Sequence, residues 1–322
     1  MIGVVIPYFQ RKPGLLNRAL RSIAAQEGEH RLRVYVVDDA SPVPAEGELA
    51  GLDESFAEKI VILRQPNGGP GTARNLALDK MTDDIGFVAF LDSDDAWGKN
   101  HLHNVTAAFA AGADFYLADH QREEDSQTRF AQCGYRPKGA AVIGTDDAVL
   151  WCDARTMFRE ILQRSPVGTS TVAIRRSKIG QLRFPTWLRS AGEDSIFWLE
   201  LLRGDMRVAA GMTSEVSYGR GVSIFNHRGW GNAAAVRTTF DEMQMQIHLR
   251  RNFPLDREML AQSNAQSRRL DLAFCANLIA CVRRLQWSAA GLAWAYIRQR
   301  PEVLLRLPGA ALGVLWRQAE RK

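Results

Sequence analysis

Apolar positions in the first hundred residues fall into two alternating periods. The β-branched runs Val4-Val5-Ile6, Val34-Tyr35-Val36-Val37, Ile60-Val61-Ile62-Leu63 and Phe87-Val88-Ala89-Phe90-Leu91 are each of strand length. Between them, Leu15 to Ala25 sets Leu15, Ala19, Leu20 and Ile23 on one helical face with Arg18 and Arg21 outside. Thr72 to Met81 repeats this with Ala73, Leu76, Ala77 and Met81, after a glycine-rich turn. Strand and helix in alternation predict an α/β domain, a mostly parallel Rossmann-like sheet with helices on both faces. Ligands of such sheets gather beyond the carboxyl ends of the strands. Pro7-Tyr8, Asp38-Asp39 and Asp92 to Asp95 each stand at or just past such an end, so three polar clusters are expected on one edge.

Beyond Asp114 the pattern loosens. Strands are expected at Phe115-Tyr116-Leu117 and around Thr171 to Ile174, loops at Gln121 to Gly139, and a helix from Glu193 to Leu202. From Ala233 the chain reads as helical, with Arg268-Arg269, Arg283-Arg284, Arg298, Arg300, Arg306 and Arg317 interleaved with Trp287, Trp294 and Trp316. The predicted division is a catalytic domain over 1–235, its donor half 1–110 and acceptor half 111–235, followed by a basic helical appendage over 236–322.

Composition narrows the class. A chain of 322 residues, 46% hydrophobic and 24% charged, can bury a large core without staples. Its four cysteines form no CxxC pair, and no histidine stands at zinc-finger spacing, which argues against a disulfide framework or zinc site and for a reducing cytoplasm. The apolar start has no basic leader and is cut by Pro7 and by Gln10 to Lys12, so it reads as a first strand rather than a signal peptide. The longest uncharged apolar stretch, Leu285 to Ile297, has 13 residues, too few to span a bilayer. Residues 250–322 hold 13 Lys/Arg against 5 Asp/Glu, and residues 1–249 hold 28 against 31, so all the excess basicity is C-terminal.

Four segments carry candidate chemistry. Asp92-Ser93-Asp94-Asp95 ends an apolar strand, where residues i and i+2 point one way. One carboxylate there can take a ribose and the other a hard divalent cation on a diphosphate. The competing reading is a solvated acidic turn. In Asp38-Asp39 a carboxylate can accept from a pyrimidine N3–H, against the alternative of an Asx turn or cap. Asn67-Gly68-Gly69-Pro70-Gly71-Thr72-Ala73-Arg74-Asn75 opens a helix with free amides and an arginine, a place for anionic groups, although it matches neither the Walker nor the dinucleotide fingerprint. Glu193-Asp194 begins an apolar helix, where acids serve as caps or, on the acceptor side, as a general base.

Taken together these segments resemble the family 2 glycosyltransferases of GT-A fold. The matching pieces are Val4-Val5-Ile6-Pro7-Tyr8-Phe9, Val37-Asp38-Asp39-Ala40-Ser41, the glycine-rich segment 67–75, Phe90-Leu91-Asp92-Ser93-Asp94-Asp95-Ala96-Trp97 and Gly192-Glu193-Asp194. Val5 to Leu16 and Arg64 to Gly71 further resemble the glucosyltransferases of succinoglycan-type exopolysaccharide assembly. The resemblance implies an inverting transfer of one sugar, glucose first among the candidates, from a UDP-sugar to a glycan or lipid-linked oligosaccharide. It implies that Pro7, Tyr8 and Asp39 line the uracil pocket and that Gly71 and Arg74 help hold the nucleotide. Asp92 and Ser93 would lie at the ribose or sugar, and Asp94 with Asp92 would hold Mg²⁺ or Mn²⁺. Asp194 is the implied base, with Glu193 in reserve; His227 is added on its neighbourhood alone, since the motif around it does not match. The Gln-x-x-Arg-Trp motif of processive relatives is missing, its nearest counterpart being Gln266-Ser267-Arg268-Arg269-Leu270, which favours single-sugar transfer.

The Arg and Trp of residues 250–322 suggest peripheral contact with an anionic membrane, on the inner face of the cytoplasmic membrane. A helical bundle with buried tryptophans is the alternative. No nucleic-acid motif accompanies the charge. Two rivals stand beside glycosyl transfer: a non-catalytic nucleotide-sugar binder, and a phosphotransferase with an aspartate nucleophile, for which the residues after Asp94 are wrong.

Overall fold

A computed structural model of the chain describes residues 1–137, 141–143, 148–219 and 231–308. The first part runs β1 (Ile2–Tyr8), α1 (Leu15–Ala24), β2 (Leu32–Asp38), α2 (Glu54–Ala57), β3 (Ile60–Arg64), α3 (Pro70–Lys80) and β4 (Phe87–Phe90). It continues through β5 (Ala96–Trp97), α4 (His101–Ala110), β6 (Phe115–Arg122), α5 (Arg129–Cys133), β7 (Val149–Cys152), α6 (Ala154–Gln163), β8 (Ala173–Arg175), α7 (Arg176–Ile179), α8 (Glu193–Leu202) and β9 (Val208–Tyr218). The strands join one sheet in the order β3-β2-β1-β4-β8-β6-β9-β5, with β7 also on β9.

Parallel pairing holds where the sequence pattern was regular. β3, β2, β1 and β4 are parallel neighbours. Beyond β4 the sheet is mixed: β8 runs antiparallel to β4 and β6, and β5 and β7 run antiparallel to β9, while β6 and β9 are parallel. The expected mostly parallel sheet is thus confined to the donor half. There β8 inserts antiparallel between β4 and β6, although α4, α6 and α8 lie in these connections, so the alternation of strand and helix does not by itself impose a parallel return.

Helix placement follows apolar spacing. Leu16, Ala19, Leu20 and Ile23 of α1 are buried at i, i+3, i+4 and i+7 and share a core with Ile2, Val4 and Ile6 of β1. Gly69 precedes α3 with φ of 90°, a conformation that side chains resist, and Pro70 stands at the first helical position. α8 is pinned by aromatics: Phe197 stacks on Phe184 at 3.9 Å, and Trp198 meets Phe90 at 5.4 Å and Phe115 at 5.9 Å. Its first turn, with Glu193 and Asp194, is therefore held against β4.

The second compact unit takes Leu188–Gly192 and everything from α9 (Ala233–Asn252) onward, through α10 (Arg257–Arg283) and α11 (Ala290–Gln299). The boundary expected at residue 235 falls inside the first turn of α9. The core of this unit gathers Val236, Met243, Leu270, Phe274 and Tyr296, and the fully buried Asp271 accepts from Tyr296 at 3.0 Å and from Arg300 at 3.0 and 2.8 Å. No helix among the described residues is long and apolar enough to cross a membrane.

Candidate active site

β1 and β2 run in register until Tyr8 stands beside Asp38, so the chain leaves both strands at one level. Asp38 turns its carboxylate onto its own loop, accepting from the amides of Ser41 (2.7 Å) and Ala45 (3.2 Å), the Asx turn that competed with a binding role. Asp39 reaches further. Its Oδ1 accepts from Gln65 Nε2 and the Gly68 amide, both at 2.7 Å, and its Oδ2 from the Gly69 amide at 2.8 Å. The glycine-rich turn expected to meet a bound anion meets the protein's own carboxylate. Three of the roughly four acceptor positions of Asp39 are thereby used, which leaves one for a base.

Tyr8 departs from its expected place on a pocket wall. Strand alternation puts it with Ile2, Val4 and Ile6, in one core with α1, and its ring is fully buried. Burial first, and then nearby acids, push its hydroxyl up to about 12. Pro7 has the opposite parity and is also buried.

The chain turns at the end of β4, with the Asp95 amide donating to the Asp92 carbonyl at 3.0 Å. Asp92 and Asp94 are half-buried on this turn while Ser93 and Asp95 are buried, so the i, i+2 relation survives although the strand has ended. Ser170 knits the turn together. Its hydroxyl donates to Asp95 Oδ2 at 2.5 Å and accepts from the Asp92 amide at 3.0 Å, while its carbonyl accepts from the Trp97 indole at 2.7 Å. Asp95 also accepts from the Gly219 amide at 3.1 Å. Burial first, then Asp94 and Asp92, raise the Asp95 carboxyl well above its ordinary range. Asp95 is thus a structural tie, whereas Asp92 and Asp94 are presented.

Arg74 stands between the two acidic segments. It is only 3% exposed, with one terminal nitrogen 2.8 Å from Asp92 Oδ1 and the other 2.9 Å from Glu193 Oε1. The Phe184 ring lies 5.3 Å beneath the guanidinium. Burial pulls its pKa down, but Asp92, Glu193 and Asp194 outweigh that and raise it. Arg74, expected to contact the nucleotide, turns one terminal nitrogen to each carboxylate and so positions Asp92 and Glu193. Gly71, expected near the nucleotide, has a packing reason as well: a Cβ there would come 3.1 Å from Glu193 Cγ, so glycine lets α3 approach α8.

Glu193 and Asp194 separate in character. Glu193 is buried; that burial, and then Asp194, push its carboxyl up to about 7 against the pull of Arg74, whose charge is held first by Asp92. The folded chain therefore holds this proton between about 4.5 and 7 where the unfolded chain has lost it. Stability should fall as pH rises through that window and level off above it. Urea unfolding between pH 5 and 8 should show Glu193→Gln losing part of this slope; an unchanged slope would remove Glu193 from the account.

Asp194 is partly exposed, its Oδ2 accepting from Thr169 Oγ at 2.8 Å and its Oδ1 from the Ser195 amide at 2.6 Å. Its carboxylate is oriented but still has acceptor positions to offer, as a base requires.

No group of three or more His, Cys, Asp or Glu among the described residues is arranged to hold a metal ion. Mg²⁺ or Mn²⁺ on a nucleotide needs only one or two protein carboxylates, since phosphates and water complete its shell. Asp94 suits that part. It forms no ion pair among the described residues, and burial first, then the like charge of Asp92, raise its carboxyl to about 6, a repulsion that a cation would relieve. His227 lies outside the described residues.

Sequence reasoning missed Gln10, Thr169 and Ser170. Gln10 Nε2 donates to Ser93 Oγ at 3.0 Å and its backbone amide to Ser41 Oγ at 2.8 Å, tying the ends of two strands. A polar residue two positions past β1 was a usable signal. Thr169 and Ser170 offered none, being separated from Asp194 and Asp95 by 25 and 75 positions.

The profile described as glycosyl transferase family 2 matches residues 3–165. The chain is 37% identical over 227 residues, 70% of each chain, to the succinoglycan biosynthesis protein ExoW of Rhizobium meliloti (strain 1021). Among solved structures it is similar to S. aureus TarS 1-349 in complex with UDP-GlcNAc, with a TM-score of 0.55 at 19% identity, over 87% of this chain and 72% of that one. It is also similar to the mannosyltransferase PcManGT of Pyrobaculum calidifontis in complex with GDP-Man and Mn²⁺, with a TM-score of 0.53 at 18% identity, over 98% and 87% of the two chains.

Proposed function

The chain belongs to glycosyltransferase family 2 and has the GT-A fold, and from that premise we propose an inverting, metal-dependent transfer of one sugar from a UDP-sugar, glucose first among the candidates. The acceptor is a hydroxyl of a glycan or lipid-linked oligosaccharide in bacterial exopolysaccharide synthesis. The observation that carries the proposal is the double ion pair of Arg74, which gathers the Asp92 turn and the Glu193-Asp194 helix start around one buried guanidinium.

The roles divide along that line. Asp39 would read the uracil with its remaining acceptor position, in a pocket that Pro7 would help to line. Asp92, its Oδ1 fixed by Arg74, would offer Oδ2 to ribose or sugar. Asp94 and Asp92 would hold Mg²⁺ or Mn²⁺, which supplies charge neutralisation to the departing diphosphate. Asp194 would take the proton of the acceptor hydroxyl as its oxygen bonds to the anomeric carbon and the bond to UDP breaks. Attack from the face opposite the leaving group inverts the centre. The ExoW relative, named for succinoglycan biosynthesis, supports an exopolysaccharide acceptor. Such an acceptor, if lipid-linked, would place the enzyme peripherally on the inner face of the cytoplasmic membrane.

A panel of UDP-sugars assayed for Mn²⁺-stimulated UDP release, with and without a glycan acceptor, tests the proposal. One UDP-sugar, UDP-glucose foremost, should release UDP well above the rest. A protein that binds UDP with Mn²⁺ yet releases it from no donor would be a binder, and the proposal would fail.

A further inference from the structure

α11 carries a large aromatic side chain on the side away from its core, where a helix covered on one side is ordinarily polar. Ala289, Ala293 and Tyr296, spaced i, i+4 and i+7, are buried in the core of the second unit. The opposite side carries Gly291, Trp294 and Arg298, spaced i, i+3 and i+7, and all are exposed. Trp294 is 69% exposed; seven residues earlier, in the 3-10 turn before α11, Trp287 is 66% exposed, and Leu285 is 74% exposed. Two tryptophans that open leave on the order of 250 Å² of largely apolar surface in water. The alternative reading of these tryptophans as buried bundle residues fails at both positions.

We propose that this face docks on an anionic lipid bilayer, with Trp287, Trp294 and Leu285 in the headgroup region and Arg283 and Arg298 on lipid phosphates. Charge selects the occupant. Residues 250–322 hold 13 Lys/Arg against 5 Asp/Glu, and Arg283 and Arg298 flank the two tryptophans in sequence. Anionic headgroups complement the basic character of this region, and tryptophan favours that boundary because its ring is apolar while its N–H is polar. Each arginine near such a surface strengthens binding severalfold, and added salt screens the effect.

The proposal rests on the reading of a membrane-borne acceptor, and the test separates the two. Vesicle binding is read without donor or acceptor, and UDP release is read without vesicles. The full chain should sediment with phosphatidylcholine vesicles containing about one third phosphatidylglycerol, and little with phosphatidylcholine alone. Trp287→Ser/Trp294→Ser should lower the partition coefficient roughly tenfold or more, and Arg283→Gln/Arg298→Gln should lower it and weaken its salt dependence. Both variants should keep wild-type circular dichroism and wild-type UDP release. Wild-type binding by the tryptophan variant, no binding by the unmodified chain, equal binding to both vesicle types, or a dimer in light scattering that the tryptophan variant dissolves would each overturn it.

Discussion

Asp94→Ala should lower turnover by roughly 10³-fold at saturating Mn²⁺, because it removes the carboxylate that holds the cation at the departing diphosphate. The fold should not suffer. Burial, and then Asp92, raise the Asp94 carboxyl to about 6, so at neutral pH the metal-free chain carries a repelled charge there. Its removal should leave the melting temperature unchanged or slightly raised without metal, and should abolish the stabilisation that added Mn²⁺ gives. Asp95→Ala should behave the other way. Asp95 is buried under bonds from Ser170 and Gly219, so its loss should cost roughly 1–3 kcal/mol of stability by leaving those donors unpaired. Thermal unfolding and UDP release, each with and without Mn²⁺, read both variants. An Asp94→Ala protein that keeps most of its turnover would end the metal assignment.

Asp194→Asn should lower kcat by roughly 10²- to 10⁴-fold while leaving the KM for the donor nearly unchanged, the mark of a lost general base. Asparagine can accept from the Ser195 amide through its Oδ1 and donate to the Thr169 hydroxyl oxygen through its Nδ2, so the helix start should keep its geometry. Glu193→Gln should look different: it exchanges a buried partner of Arg74 and so loosens the pair that orients Asp92. Its effect should fall on stability and donor KM as well as on kcat. If instead Glu193→Gln removed turnover with fold and donor affinity intact while Asp194→Asn stayed active, the two acids would exchange roles.

Much of this site could be read before any coordinates. The ends of β1, β2 and β4 were visible to within two residues because apolar runs of strand length close at Ile6, Val37 and Leu91 before the clusters Pro7-Tyr8, Asp38-Asp39 and Asp92 to Asp95, and the strands end at Tyr8, Asp38 and Phe90. α3 and α8 were visible because their apolar residues repeat at helical spacing after a Gly-Pro turn and an acid pair. Less of the individual side chains was legible. Asp38 and Asp39 look alike in sequence, yet one closes its own loop and the other holds residues 65 to 69. Which acid does which depends on where β3 and α3 come to lie. Tyr8 reads two ways, since its parity with Ile2, Val4 and Ile6 points to the core, where it packs, and family likeness points to a pocket.

Chain chemistry and local period therefore established the α/β donor half, the strand-end acids, the helix start at Glu193 and a basic helical C-terminal region. Those properties reside in neighbouring residues, and backbone geometry repeats over two residues in a strand and 3.6 in a helix. Tertiary contact alone decided that Arg74 would face Glu193, 119 positions away, that Ser170 would brace Asp92 and Asp95, and that the sheet would turn mixed beyond β4. It also decided that Trp287 and Trp294 would face outward. An arginine's partners and a tryptophan's exposure depend on which distant surfaces close over them, and no local period encodes that closure.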